Sequence, residues 1–228
     1  SIIMKLSDQT VSVLKNFANI NSGIFFEKGK NIRTVAPTKA ILAKANIIEE
    51  IPRNFGIYDI TRMLGSYSLF EYPEVEFEEK YILIEDKKNQ RNVKYWMCDP
   101  ELVVRPPEGK NIHLPTEDVS FVLDSNALDF SIKQASVLSL PEIGIIGNGT
   151  DITITALDSQ TNETSSEQVV GETDKNFKFI FKFENITKLM SKNYNVSLSS
   201  KGLSQFISSD SGIEYFVAIE LAISTYED

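Results

Sequence analysis

Six residues of this 228-residue chain occur twice. Asp59-Ile60-Thr61-Arg62-Met63-Leu64 returns at position 185 as Asn185-Ile186-Thr187-Lys188-Leu189-Met190, and every substitution keeps its physical class. Each copy follows an apolar run, Phe55 to Tyr58 in one case and Phe177 to Phe183 in the other. Each begins with an Asx side chain that can accept backbone N–H bonds at a helix start. The pattern predicts a strand running into a capped helix, twice over. Isoleucine at the second place and Met/Leu at the fifth and sixth stand at i, i+3 and i+4, a stripe for burial. Arg62 and Lys188 face away from it.

The surroundings repeat as well. Leu6-Ser7 opens a helical pattern with Thr10, Val13, Leu14 and Phe17 inward and Asp8, Ser12, Lys15 and Asn19 outward; it stops at Ser22-Gly23. Leu123-Asp124 opens another, with Ala127, Phe130, Gln134, Val137 and Leu138 inward and Asp129, Lys133 and Ser136 outward, ending before Pro141. Strands are predicted near 23–27, 31–36, 40–48, 54–58, 74–78, 81–86 and 91–97. In the second half they fall near 118–123, 142–147, 150–157, 166–170, 176–183, 194–199, 203–208 and 213–222. Turn residues separate many of them (Lys28-Gly29-Lys30-Asn31, Asp86 to Asn89, Asn148-Gly149, Ser209 to Gly212), so the sheets are expected to be antiparallel. Ser1-Ile2-Ile3 before Met4 are read as an expression remnant. Pro100, Pro106, Pro107 and Pro115 mark an extended connector, because proline supplies no ladder donor. The expected division is a first domain over 4–98, a connector over 99–117 and a second domain over 118–228. A polar hairpin tip is expected over 158–167.

Composition narrows the function classes. One cysteine, Cys98, excludes an internal disulfide. No apolar run approaches the roughly 20 residues of a membrane span, and no signal peptide is expected at the N-terminus. The sequons at Asn148, Asn162, Asn185 and Asn195 are read as coincidences of an Asn-rich composition. The net charge of −9 by itself argues against a nucleic-acid partner. Its distribution argues the other way. Lys15, Arg62, Lys133, Lys188 and Lys192 stand on outward helix positions against Asp8 and Asp129. Ser12, Asn16, Ser66, Ser136, Thr187 and Ser191 accompany them, groups suited to sequence-independent phosphate contact. An ordinary solvated helix face has the same pattern, so both readings stand at this point.

Catalysis has little to work with. The one histidine, His113, lies in the connector, and Cys98 has no second Cys or His to complete a zinc or thiolate site. No catalytic residue, metal site or cofactor is expected. Gly144 to Gly149 leads into strand residues and reads as a hairpin, not a phosphate loop. Glu74, Glu76 and Glu78 alternate with Val75 and Phe77, the pattern of a half-buried strand with an acidic face rather than a carboxylate cluster. Phe177, Phe179, Phe181 and Phe183 form a strict period-2 stripe read as core, with base stacking as the alternative.

Several segments resemble the sliding clamps, the DNA polymerase processivity factors, of T-even-like bacteriophages. They are Met4-Lys5-Leu6-Ser7, Leu14 to Ala18, Ile20 to Ile24, Ala45-Asn46-Ile47, Ile57-Tyr58-Asp59, Leu64-Gly65 and Tyr215 to Glu220. The likeness is dense over residues 4–70, weak in the middle, and returns at the end. It implies an α+β, duplicated two-domain DNA-clamp fold, with antiparallel sheets outside and two helices per domain lining a ring. It further implies a non-enzymatic homotrimer encircling duplex DNA without sequence preference, opened by an ATP-dependent clamp loader, in the cytoplasm of the infected bacterial host. The polymerase would dock by a short C-terminal peptide, and late-transcription factors would share the ring. On this reading Lys15, Arg62, Lys133, Lys188 and Lys192 face DNA. Arg91 and Lys94 would meet Glu167 and Glu172 across the subunit contact. Val103, Val104, Pro106 and Ile219 would line the peptide pocket. The competing expectation is a β-rich phage structural or assembly protein with no DNA role; a hydrolase using Asp/Glu pairs lacks a recognisable site.

Overall fold

The computed structural model describes residues 2–161 and 163–227. The chain divides into two compact units, Ser1–Lys110 and Asn111–Asp228. The division falls inside the proline-rich stretch.

Unit 1 runs β1 (Ile3–Met4), α1 (Asp8–Ile20), β2 (Ile24–Phe26), β3 (Gly29–Val35), β4 (Ile41–Ile51), β5 (Phe55–Ile57), α2 (Ile60–Ser68), β6 (Glu74–Phe77), β7 (Tyr81–Asp86) and β8 (Arg91–Trp96), then a 3₁₀ turn at Pro100–Leu102. Strands β1, β6, β7 and β8 form one antiparallel sheet in that order. Ile3 pairs with Glu76, so β1 includes one residue ahead of Met4. Strand β3 pairs with β4, and β2 pairs with β5 rather than turning back along β3.

Helix α1 starts where Ser7 accepts the N–H of Thr10, and it buries Thr10, Val13, Leu14, Phe17 and Ile20. Its first turn is tied to the sheet by a buried carboxylate. Glu49 on β4 accepts the Ser7 N–H at 2.7 Å and the Thr10 hydroxyl at 2.6 Å. A carboxylate at this end also complements the helix dipole. Leu14, Met63 and Leu64 from the two helices meet Ile47, Val75, Phe77, Ile82 and Ile84 around a small apolar cavity of about 30 Å³. Each such buried side chain contributes about 1.5–3 kcal/mol relative to exposure.

Unit 2 runs β9 (Val119–Leu123), α3 (Ser125–Val137), β10 (Glu142–Asn148), β11 (Asp151–Asp158), β12 (Glu163–Glu172), β13 (Asn176–Lys182), α4 (Phe183–Ile186), β14 (Tyr194–Ser199), β15 (Leu203–Ser208), β16 (Ile213–Ala218), a 3₁₀ turn at Leu221–Ile223, and β17 (Thr225–Glu227). One antiparallel sheet has the order β12-β11-β10-β13-β17. The other joins β9, β14, β15 and β16. Strand β16 is shorter than the expected 213–222. It stops at Ala218, and the Glu220 N–H then bonds the Ile180 carbonyl. The Gly144 to Gly149 stretch is the β10–β11 hairpin, with Gly149 at a φ of 87°. Phe177, Phe179 and Phe181 are core, whereas Phe183 belongs to α4. The tip between β11 and β12 is shorter than expected, and Asn162 lies outside the described residues.

Two further sequence expectations fail in this unit. The second copy of the repeat does not open a capped helix at Asn185. Strand β13 ends where the Phe183 N–H bonds the Pro141 carbonyl, so the helical turn begins three residues early, with Lys182 at the cap position, and Asn185 is buried within it. Helix α3 is also rotated from its expected orientation. It buries Leu128, Ser131 and Ala135, leaving Phe130, Val137 and Leu138 exposed. Its sequence offers apolar residues on two faces, and the small face wins because it allows close approach to the sheet. There Gln168 of β12 donates to the Ala127 carbonyl at 3.0 Å and the Ser131 hydroxyl at 3.1 Å.

Candidate nucleic-acid interface

In unit 1 the cations expected to face DNA stand on α1 and α2. Lys15 is exposed and lines an open groove between these helices, of about 370 Å³, with Ala18, Asn19, Thr61, Leu64, Gly65 and Ser68. Asn19 and Thr61 were not among the expected site residues, although Asn19 lies one turn from Lys15. Arg62 is exposed, as its place in the repeat predicts, and its Nε lies 3.5 Å from Asp59. The same Asp59 caps α2 by accepting the Arg62 N–H at 3.0 Å. An ion pair this exposed is worth about 0–1 kcal/mol, so it orients the guanidinium without withdrawing it. Tyr95 donates its hydroxyl to the Asp59 carbonyl at 2.9 Å. Burial and the Asp59 charge push the Tyr95 phenol up, which keeps it a neutral donor. Ser66 and Ser68 bond their own helix carbonyls.

In unit 2 Lys133 is exposed on α3, while Lys188 and Lys192 are half-buried beyond α4. Side chains fasten the segment that carries them. Met190 donates its N–H to the Tyr215 hydroxyl at 3.2 Å and accepts from the Tyr194 hydroxyl at 2.5 Å. Ser191 donates to Asp129 of α3 at 2.7 Å, and the Asn193 side chain accepts the Ser125 N–H at 2.8 Å. Ser191 therefore holds α3 rather than presenting its hydroxyl outward. Burial, ahead of any charge effect, raises both tyrosines, Tyr215 to about 12.

The expected subunit-contact residues lie on sheet edges. Strand β8 ends one sheet with Arg91 and Lys94 exposed, and β12 ends another with Glu167 and Glu172 exposed. Lys94 lies 4.9 Å from the centroid of the Tyr81 ring, and Tyr81 packs on Trp96, itself 60% exposed. Of the expected pocket residues, Val103 and Pro106 are buried in unit 1 and Ile219 in unit 2; Val104 is exposed. Among the described residues no cluster of three or more His, Cys, Asp or Glu could hold a metal ion. Among the same residues no helix is long and apolar enough to cross a membrane.

Both halves match known families. Residues 5–96 match the family described as DNA polymerase processivity factor, and residues 121–221 match the C-terminal domain of the gp45 sliding clamp. The chain belongs to the phage sliding clamp family. It is 32% identical to the sliding clamp of Vibrio phage KVP40 over 225 residues, covering 95% of this chain and 99% of the relative. It is 31% identical to that of Escherichia phage RB69, covering 98% and 100%. It is 32% identical to that of Enterobacteria phage T4, covering 87% and 89%. The clamp fold is shared far more widely. A PCNA2–PCNA3 complex from Sulfolobus tokodaii matches with a TM-score of 0.69 at 10% identity, covering 96% of this chain and 99% of that one. The H. pylori beta clamp matches with a TM-score of 0.68 at 14% identity, covering 95% and 65%.

Proposed function

We propose that three copies of this sliding clamp close into a ring around duplex DNA and tether the replicative polymerase for processive synthesis. The observation that carries the reading is the family match across both halves, residues 5–96 and 121–221. Exposed cations on helices in each unit, on a chain of net charge −9, support it: a basic lining in an acidic ring attracts phosphates inside and repels DNA outside. Retention is topological, so the clamp catalyses no reaction and needs no cofactor. Edge strands β8 and β12 carry opposite charges and supply the subunit contact, pairing Arg91 and Lys94 with Glu167 and Glu172. An ATP-dependent loader opens the ring. The polymerase docks by a short C-terminal peptide at the connector around Val104, late-transcription factors use the same ring, and the work takes place in the cytoplasm of the infected bacterium. A β-rich assembly protein has no use for the cationic positions.

The test is polymerase extension of primed circular DNA with loader and ATP. The wild type is expected to lengthen products severalfold. The variant Lys15→Ala/Arg62→Ala/Lys133→Ala/Lys188→Ala is expected to lose most of that gain, with a shallower salt dependence, since each lost phosphate contact lowers the slope by about 0.9. Products of equal length with and without the wild-type protein reject the clamp reading.

A further inference from the structure

The first half of the connector has almost no ladder to hold it; side chains do that instead. Asn21, at the end of α1, donates to the Val104 carbonyl at 2.8 Å and to the Val35 carbonyl at 3.1 Å, while its oxygen accepts the Gly23 N–H. Arg33 on β3 donates to the Pro107 carbonyl at 3.1 Å and the Lys110 carbonyl at 3.0 Å. Its guanidinium is itself fixed by Glu27, with Nε at 2.9 Å and Nη2 at 2.7 Å from one carboxylate oxygen. The Arg33 side chain is only 10% exposed. Two unit 1 side chains thus hold three connector carbonyls across a stretch interrupted by Pro106 and Pro107. Within or beside that stretch Leu102 is 63% and Val104 41% exposed, while Val103 between them is buried against Gly23. Leu102 closes the 3₁₀ turn, whereas Val104 lies beyond it on irregular backbone, where an apolar side chain this open keeps a defined position only if the backbone beneath it is held.

We propose that Arg33, oriented by Glu27, is a positioning residue for partner docking: it fixes the connector so that Leu102 and Val104 are presented to the partner peptide. This rests on the reading that the polymerase peptide docks at the connector. The guanidinium fork is essential, because it reaches a carboxylate and two carbonyls at once, which a lysine ammonium on the same strand cannot do in the same geometry. Glu27 acts through Arg33, and its neutral amide analogue keeps the shape while losing the charge-assisted bonds.

The experiment uses the full chain as wild type, Arg33→Lys and Glu27→Gln, with two readouts. The first is the rate of limited trypsin cleavage after Lys110, which reports local opening. The second is the Kd, by fluorescence anisotropy, of a labelled peptide copying the C-terminal segment of the same phage's replicative polymerase. Both variants are expected to be cleaved about tenfold faster and to bind about tenfold more weakly, a shift of about 1.4 kcal/mol, while the salt dependence of DNA retention stays at the wild-type value. Unchanged cleavage overturns the proposal, and so does faster cleavage with a Kd within twofold of wild type. Should the wild type itself fail to bind the peptide, the docking reading and this proposal fall together; cleavage then separates that failure from failure of the strap. Glu27→Gln replaces one carboxylate oxygen by an amide nitrogen in the turn between β2 and β3, so its result stands even if Arg33→Lys folds poorly.

Discussion

Met190 donates its backbone N–H to the hydroxyl of Tyr215, 25 residues further along the chain. Where the first copy of the repeat continues as helix α2, the second copy gives way to a segment held by phenols. Tyr194 takes the Met190 carbonyl, so both backbone groups of one residue are satisfied by buried side chains.

Replacing Tyr215 by Phe removes the acceptor and leaves the Met190 N–H in a poorly hydrated site. The expected loss is about 1–3 kcal/mol, read as a lower urea midpoint with an unchanged slope. A shift under about 0.5 kcal/mol, the range of ordinary surface changes, would show that water replaces the hydroxyl.

Two glycines should respond in opposite directions to alanine. A Cβ on Gly147 would run into the Phe177 ring, inside the β10–β13 pairing, so Gly147→Ala is expected to cost about 1–3 kcal/mol through overpacking. A Cβ on Gly65 meets nothing within 4 Å, and the residue lies within α2. Gly65→Ala is expected to stabilise by about 0.5–1 kcal/mol, because alanine is the better helix former. Thermal melts of the two variants on either side of wild type would bear this out; two shifts of the same sign would not.

Charge reversal tests the two edge strands. Arg91→Glu/Lys94→Glu is expected to weaken assembly by about tenfold or more at low salt, measured by sedimentation velocity. Combining it with Glu167→Lys/Glu172→Lys should restore assembly. Sedimentation of the double reversal no different from either single one rules out the assigned pairing.

Acid sensitivity should be traceable to Asp118. Burial pushes its carboxyl up, but the Thr116 hydroxyl at 2.6 Å, the Ser200 N–H at 2.7 Å and the nearby Lys175 outweigh burial and hold it below the usual range. A carboxylate lowered on folding contributes stability above its unfolded value of about 3.9, and that contribution disappears as pH falls through the folded value. Asp118→Asn should therefore be less stable than wild type at pH 7, with the gap narrowing below about pH 4. A gap constant from pH 7 to pH 2.5 would assign the loss to geometry rather than charge.

Much of the candidate interface was legible because it depends on local spacing. Lys15 and Arg62 are exposed because the buried positions of α1 and α2 follow from one unambiguous apolar stripe each. Lys133 was placed correctly for a weaker reason. It faces solvent with either of the two apolar faces of α3 turned inward, while Phe130, Val137 and Leu138 were misplaced. Lys188 and Lys192 were assigned to a helix that stops at Ile186, since nothing in the repeat itself reveals that Tyr194 and Tyr215 will take the backbone of Met190. The fastening of the connector by Asn21 and Arg33 was also hidden, because each bond joins residues more than 70 positions apart.

By itself the sequence determined the duplication, the antiparallel strands, the capped starts of three helices, and the separation of cationic helix positions from an acidic remainder. These follow from periodicity and from side chains acting within a few residues of themselves. Tertiary structure alone decided which face of α3 is buried, where the second copy of the repeat leaves the helix, and which carbonyls of the connector are held. In each of those places local preference offers two near-equal answers. A distant partner, Gln168, Tyr215 or Arg33, supplies the hydrogen bonds that separate them.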